Sequence, residues 1–138
     1  MTIAVNRQID VLIVEHQRDI RRGLRALLRF SANIGQIWEA TNGESAVKLI
    51  NQLRPDLVIM GIKLPGIGGL SVTRWVRRNY PEMKVIILTM YPYYEEEALD
   101  AGADRFLVKG AEEFSLQEEI LALFQSKSVE NNHVIEDV

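Results

Sequence analysis

Asp56 to Gly69, DLVIMGIKLPGIGG, is the stretch whose reading decides the fold. Leu57-Val58-Ile59-Met60 is a short apolar run that breaks at Gly61 into a loop holding Pro65, Gly66, Gly68 and Gly69. A helical pattern resumes at Leu70. So short a run, bounded by turn residues and rich in branched side chains, reads as a strand buried on both faces. In an open α/β sheet the chemistry lies just beyond the carboxyl ends of such strands. The residue in that place is Gly61, which has no side chain to react.

The same grammar extends both ways along the chain. Val11 to Val14 (VLIV) is a strand ending at Glu15-His16, and Gln36 to Ala40 is a more polar one suited to a sheet edge. Lys84 to Thr89 (KVIILT) is a fourth, and Arg105 to Lys109 (RFLVK) a fifth after the segment before it. Between them, Arg18 to Phe30 shows helical spacing through Ile20, Leu24, Leu27 and Leu28. Asn42 is a candidate N-cap for a second helix carrying Ala46, Ile50 and Leu53, closed by Arg54-Pro55. A third helix runs from near Leu70 to Asn79. Tyr91 to Ala101 holds one short helix ended by Gly102, and Phe114 to Phe124 is a last amphipathic one. Strict alternation of this kind predicts an α/β fold: a doubly wound, five-stranded parallel sheet in the order 2-1-3-4-5, flavodoxin-like, with helices on both faces.

A chain of 138 residues is one domain, here residues 9–125, with residues 126–138 read as a disordered tail or a truncated linker. The net charge of −3 gives no overall footprint for nucleic acid. Cysteine is absent, which excludes disulfides and thiolate chemistry. No apolar run approaches the ~18 residues that span a bilayer, and no signal peptide is visible, so the expected location is cytoplasmic.

In this topology Glu15, His16, Gly61, Thr89 and Lys109 converge on one crevice. The motifs around them, VLIV-EH, RPDLVIM-G-IKLPGIGGL, PEMKVIILT and ALDAGADRFLVK, resemble the receiver (CheY-like) domain of two-component response regulators. They are most similar to the subfamily with a LuxR-type helix-turn-helix output domain, and the resemblance covers about Ile9 to Gln125. It implies phosphorelay signalling in transcription regulation, the domain itself not being an enzyme. An aspartate at the position of Gly61 would accept a phosphoryl group from a histidine kinase. Acids at the positions of Glu15 and His16 would hold Mg²⁺ with the backbone carbonyl of Lys63. Thr89 and Lys109 would bind the phosphoryl group, and Phe106 would be the switch aromatic. Dense negative charge on the transferred group makes such chemistry a matter of positioning and cations.

The chain departs from that pattern at several points. The acceptor is Gly61, the second acid is His16, a common acid of the glycine loop is Gly68, and the stretch from Thr89 to Gly102 is shortened. One base change turns an Asp codon into a Gly codon, but the other departures are separate events in the same functional system. Asp56 cannot substitute, because it lies at the other end of the strand, about 16 Å away at ~3.3 Å per residue. One carboxylate and a neutral imidazole make a poor Mg²⁺ site, so weak metal binding and no required cofactor are expected. The reading is a pseudo-receiver that signals by protein–protein contact without aspartyl phosphorylation. A conventional receiver with an altered acceptor, and an anion or nucleotide sensor using Thr89 and Lys109, are the alternatives.

Lys109, lacking an aspartate, is expected to pair with Glu15. The arginines Arg18, Arg21, Arg22, Arg25 and Arg29 form either a solvated face or a docking surface for an acidic partner. Expected partners are a histidine kinase or another signalling protein, with a homodimer as a further option, and neither nucleic acid nor membrane. His16 with Glu15 offers too few ligands for a transition metal, and Phe106 can equally be core. Gly66 to Gly69 follows the wrong strand for a dinucleotide fingerprint and lacks the lysine and hydroxyl of a phosphate-binding loop.

Overall fold

The computed structural model describes residues 7–31, 33–110 and 116–125. Five strands, β1 (Ile9–Val14), β2 (Ile34–Ala40), β3 (Leu57–Met60), β4 (Lys84–Thr89) and β5 (Arg105–Val108), form one sheet in the order β2-β1-β3-β4-β5. All four pairings are parallel, with Val11 opposite Leu57, Leu57 opposite Lys84 and Thr89 opposite Val108. The helices are α1 (Arg18–Arg29), α2 (Gly43–Leu53), α3 (Gly69–Asn79), α4 (Glu95–Asp100) and α5, helical over the described residues 116–125. The doubly wound architecture read from the sequence is the one observed.

Strand alternation explains the two layers. Leu12, Val14, Val58, Met60, Val85 and Ile87 face one way and pack with Ala46 and Ile50 of α2, Val72 and Val76 of α3, and Ala98 of α4. Val11, Ile13, Leu57, Ile59, Ile86 and Leu88 face the other way, against Leu28 of α1 and Leu116, Ile120 and Leu123 of α5. β3 is fully covered on both faces, as its unbroken apolar run requires.

Boundaries differ from the expected ones where polar groups take part in the ladder. β1 begins at Ile9 and not at Val11, because the polar Asp10 is satisfied inside it. The Asp10 N–H donates to Asp56 Oδ2 at 2.9 Å, and its Oδ1 accepts from the Gln36 N–H at 2.8 Å. β2 starts at Ile34 for the same reason, and it does lie at the sheet edge. β3 starts at Leu57, after Asp56. β5 ends at Val108, and the Lys109 N–H donates to the Thr89 carbonyl at 2.8 Å. The short fourth connection is a 3-10 turn at Pro92–Tyr94 leading into α4. Expectations for residues 111–115 and for the tail 126–138 lie outside the described residues.

Asn42 caps α2, its Oδ1 accepting from the Ser45 N–H at 2.8 Å. Arg54 closes that helix in the left-handed region at φ 50°, just before Pro55. After β3 the chain turns so tightly that a Cβ on Gly69 would lie 1.8 Å from the Gly61 carbonyl oxygen. The loop between those residues is therefore folded back against the end of the strand, which sets the floor of the crevice.

Candidate functional site

Glu15 leaves β1 with its N–H donating to the Ala40 carbonyl at 3.0 Å. Its side chain turns into the crevice, where the residue is buried. Oε2 accepts from the Gln17 N–H at 2.8 Å, and Oε1 accepts from Lys109 Nζ at 2.7 Å. The expected Glu15–Lys109 contact is thus present, with side-chain exposures of 8% for Glu15 and 18% for Lys109. Burial of Glu15 and partial burial of Lys109 make this pair more consequential than an exposed one, since losing either partner strands a charge.

Gly61 is buried at the carboxyl end of β3, its N–H bonded to the Val14 carbonyl at 2.8 Å. A Cβ built there would sit 3.2 Å from Glu15 Oε1 and 3.3 Å from the Val14 oxygen. Thr89, at the end of β4, is buried, and its Oγ1 accepts from the Tyr91 N–H at 3.3 Å. The fold therefore brings Glu15, Gly61, Thr89 and Lys109 to one end of the sheet, as their positions in the sequence implied.

The side chains of three other expected site residues make other contacts. His16 is exposed, and its carbonyl accepts from Arg21 Nη1 at 3.0 Å. Lys63 directs its Nζ over the Tyr91 ring, 4.3 Å from the centroid. Phe106 is half-buried on β5 and packs against the cluster that includes Ala98 and Tyr94. Asp56 binds Arg7 and the Asp10 N–H at the opposite end of the sheet. Among the described residues, no three His, Cys, Asp or Glu side chains converge as a metal ligand set. The donors expected for a metal are one carboxylate already holding an ammonium group, an exposed imidazole and the backbone carbonyl of Lys63. That set does not fit Mg²⁺, which favours anionic oxygen ligands in a near-octahedral shell.

The arginine stripe is only partly a solvated face. Arg21 and Arg25 reach across to Glu39 on β2, Arg21 Nε at 3.1 Å and Arg25 by a shorter contact, while Arg18, Arg22 and Arg29 stay exposed. The Arg25 hydrogen bond is the main cause that holds the Glu39 carboxyl below its ordinary 4.5; partial burial opposes it and Arg21 reinforces it. A carboxyl that titrates lower when folded adds stability above its unfolded value and loses it as pH falls through the folded one. The stability gap between the wild type and Glu39→Gln is expected to shrink as urea unfolding is repeated from about pH 6 down to about pH 3. A gap that stays constant across that range would mean the contact contributes nothing through ionisation.

Beside α1 lies a mainly apolar groove of about 550 Å³, lined by Ile20, Gly23, Leu24, Leu27 and Phe30 and reaching Lys109. Phe30 is 88% exposed, an unusual state for a phenylalanine in a folded domain. Sequence reading missed the groove, because helical spacing of apolar residues does not show how much of the stripe is covered. The Lys63–Tyr91 stacking was missed as well; a Lys and a Tyr flanking two crevice loops were the only signal for it.

The comparisons agree with this geometry. The family model for the response regulator receiver domain matches residues 11–121. The chain is 34% identical over 119 residues to the response regulator GacA of Pseudomonas aeruginosa, covering 85% of this chain and 54% of that protein. It thus spans about half the length of the curated relatives it matches. Among solved structures, the response regulator TrrA of Thermotoga maritima, in complex with Mg²⁺ and BeF, has a TM-score of 0.78 at 33% identity, covering 84% of this chain and 99% of that one. A DNA-binding response regulator of the LuxR family from Staphylococcus aureus has a TM-score of 0.75 at 31% identity, covering 81% and 95%. From its fold, its crevice and these relatives together, the chain belongs to the response regulator receiver domain family.

Proposed function

We propose that this receiver is a degenerate one, a pseudo-receiver that passes signals by protein–protein contact and does not accept a phosphoryl group on aspartate. The observation that carries the reading is Gly61 at the end of β3, with Glu15, the acid beside it, already bound to Lys109 at 2.7 Å. Acyl phosphate formation needs a carboxylate free to attack and cations free to steady the charge that develops. Here the nearby carboxylate and the nearby ammonium neutralise each other. Asp56, at the far end of the sheet, offers no substitute. The donor set argues against Mg²⁺ as a working cofactor, and the domain is read as a signalling module and not as an enzyme.

The apolar groove along α1 supplies the contact surface for this mode of signalling. The exposed arginines of the same helix, Arg18, Arg22 and Arg29, suit a partner with an apolar helix face bordered by acids, such as a histidine kinase or another signalling protein, although Asp19 also lines the groove. A homodimer is a further arrangement for such a module. DNA contact of the kind named for the Staphylococcus aureus regulator is assigned outside this domain, since the chain as a whole carries a net charge of −3. No helix among the described residues is long and apolar enough to cross a membrane, and we place the domain's work in the cytoplasm.

Intact mass spectrometry after incubation with acetyl phosphate and Mg²⁺, beside a conventional receiver, tests the reading. The wild type is expected to gain no phosphoryl group while the control does. A hydroxylamine-labile phosphoryl group on the wild type would overturn the proposal and leave a conventional receiver with an unrecognised acceptor.

A further inference from the structure

We infer that Glu15 is a resident occupant of the crevice, an internal anion that takes the place of any external one and keeps the Thr89–Lys109 end of the sheet closed to oxyanions. The argument starts from a single oxygen. Glu15 Oε1 accepts from Lys109 Nζ at 2.7 Å, and the same atom lies 3.2 Å from where a Cβ on Gly61 would begin. The carboxylate therefore sits at the root of the space into which a side chain on residue 61 would grow. It is held there from behind by the Gln17 N–H, which donates to Oε2 at 2.8 Å.

An aspartate in this position would be one methylene shorter. Glutamate has the length to bring its carboxylate across to β5 while its backbone stays hydrogen-bonded to Ala40 at the end of β2. The absence of a side chain on Gly61 leaves the passage open.

Among the described residues, Lys109 and Lys63 both have partners. Lys109 is neutralised by Glu15, and Lys63 lies on the Tyr91 ring at 4.3 Å. The Thr89 hydroxyl accepts from the Tyr91 N–H. An incoming oxyanion would meet a buried carboxylate instead of a free ammonium, and like charges at such range in a poorly solvated site disfavour entry. Removing the Glu15 charge leaves Lys109 as a partly buried cation without that counterion, which is the condition that recruits an anion.

This deepens the reading of a crevice silent in phosphoryl transfer. Its test uses no phosphodonor, so the two can fail separately. Inorganic phosphate is titrated at constant ionic strength into the full chain, following backbone amide shifts of Thr89, Met90 and Lys109 by NMR. The variants are Glu15→Ala, which clears both charge and volume, Glu15→Gln, which keeps the volume, and each combined with Lys109→Met. Glu15→Ala is expected to bind phosphate at least about tenfold more tightly than the wild type, with Glu15→Gln between them. Lys109→Met is expected to abolish the gain in either background. If Glu15→Ala loses its folded spectrum, the Glu15→Gln pair carries the same comparison. Equal binding by the wild type and the Glu15 variants, or a gain that survives Lys109→Met, overturns the inference.

Discussion

Replacing Arg77 with methionine is expected to lower the unfolding free energy by about 3 kcal/mol and the thermal midpoint by about 10 °C. Arg77 projects from α3 into the turns before β4 and β5. Its Nε and Nη2 donate to the Gly102 carbonyl at 3.0 and 2.8 Å, and Nη1 donates to the Pro81 and Met83 carbonyls at 2.6 and 3.1 Å. Nη2 also meets Asp104 Oδ2 at 2.8 Å, and that carboxylate in turn accepts from the Val85 N–H at 2.8 Å. One guanidinium thus satisfies carbonyls that terminate separate segments and would otherwise lack that donor. Methionine keeps much of the apolar stem and none of the donors. The loss then falls on the hydrogen bonds and on the Asp104 carboxylate left without its arginine. Lysine is expected to recover only a small part, because an ammonium group cannot reproduce the planar fork. Chemical denaturation of the three proteins decides the matter: a methionine variant within about 0.5 kcal/mol of the wild type would show that the hub is incidental.

The second large effect distinguishes two adjacent glycines. Gly69→Ala is expected to cost about 3–5 kcal/mol, enough to leave little folded protein, while Gly68→Ala is expected to stay within about 0.5 kcal/mol of the wild type. A Cβ on Gly69 would lie 1.8 Å from the Gly61 oxygen and 3.0 Å from Ile62 Cα, both backbone atoms that cannot yield without moving the loop. On Gly68 the nearest atom would be the Ile62 oxygen, at an ordinary 3.6 Å. Its φ of −74° is open to any residue. Alanine there trades a slightly poorer helix start for a less flexible unfolded chain, and the two small terms nearly cancel. Parallel thermal melts are the measurement. Similar midpoints for the two variants would mean that the loop yields more readily than its packing implies.

Part of the site was legible because strand chemistry is written locally. The run LVIM ending at Gly61 and the run KVIILT ending at Thr89 mark their own carboxyl ends, and a parallel sheet brings those ends together. From that alone Glu15, Gly61, Thr89 and Lys109 could be placed in one crevice. The Glu15–Lys109 contact followed from charge, since a lysine in that crevice needs a counterion and Glu15 is the acid within reach.

The sequence by itself determined the parallel sheet, its strand order, the N-cap at Asn42 and the glycine at the carboxyl end of β3, because each depends on short-range pattern or on chain connectivity. Only the tertiary structure decided what the long polar side chains do. Arg21 and Arg25 leave the solvated stripe for Glu39, the Lys63 ammonium group settles over Tyr91, and Arg77 binds carbonyls far along the chain. The physical reason is reach. An apolar side chain in a strand or helix is committed to one face by backbone periodicity, while an arginine or lysine has several rotatable bonds and many acceptors of similar strength. Which acceptor it takes depends on the placement of elements distant in sequence, and that placement exists only once the sheet and helices have packed.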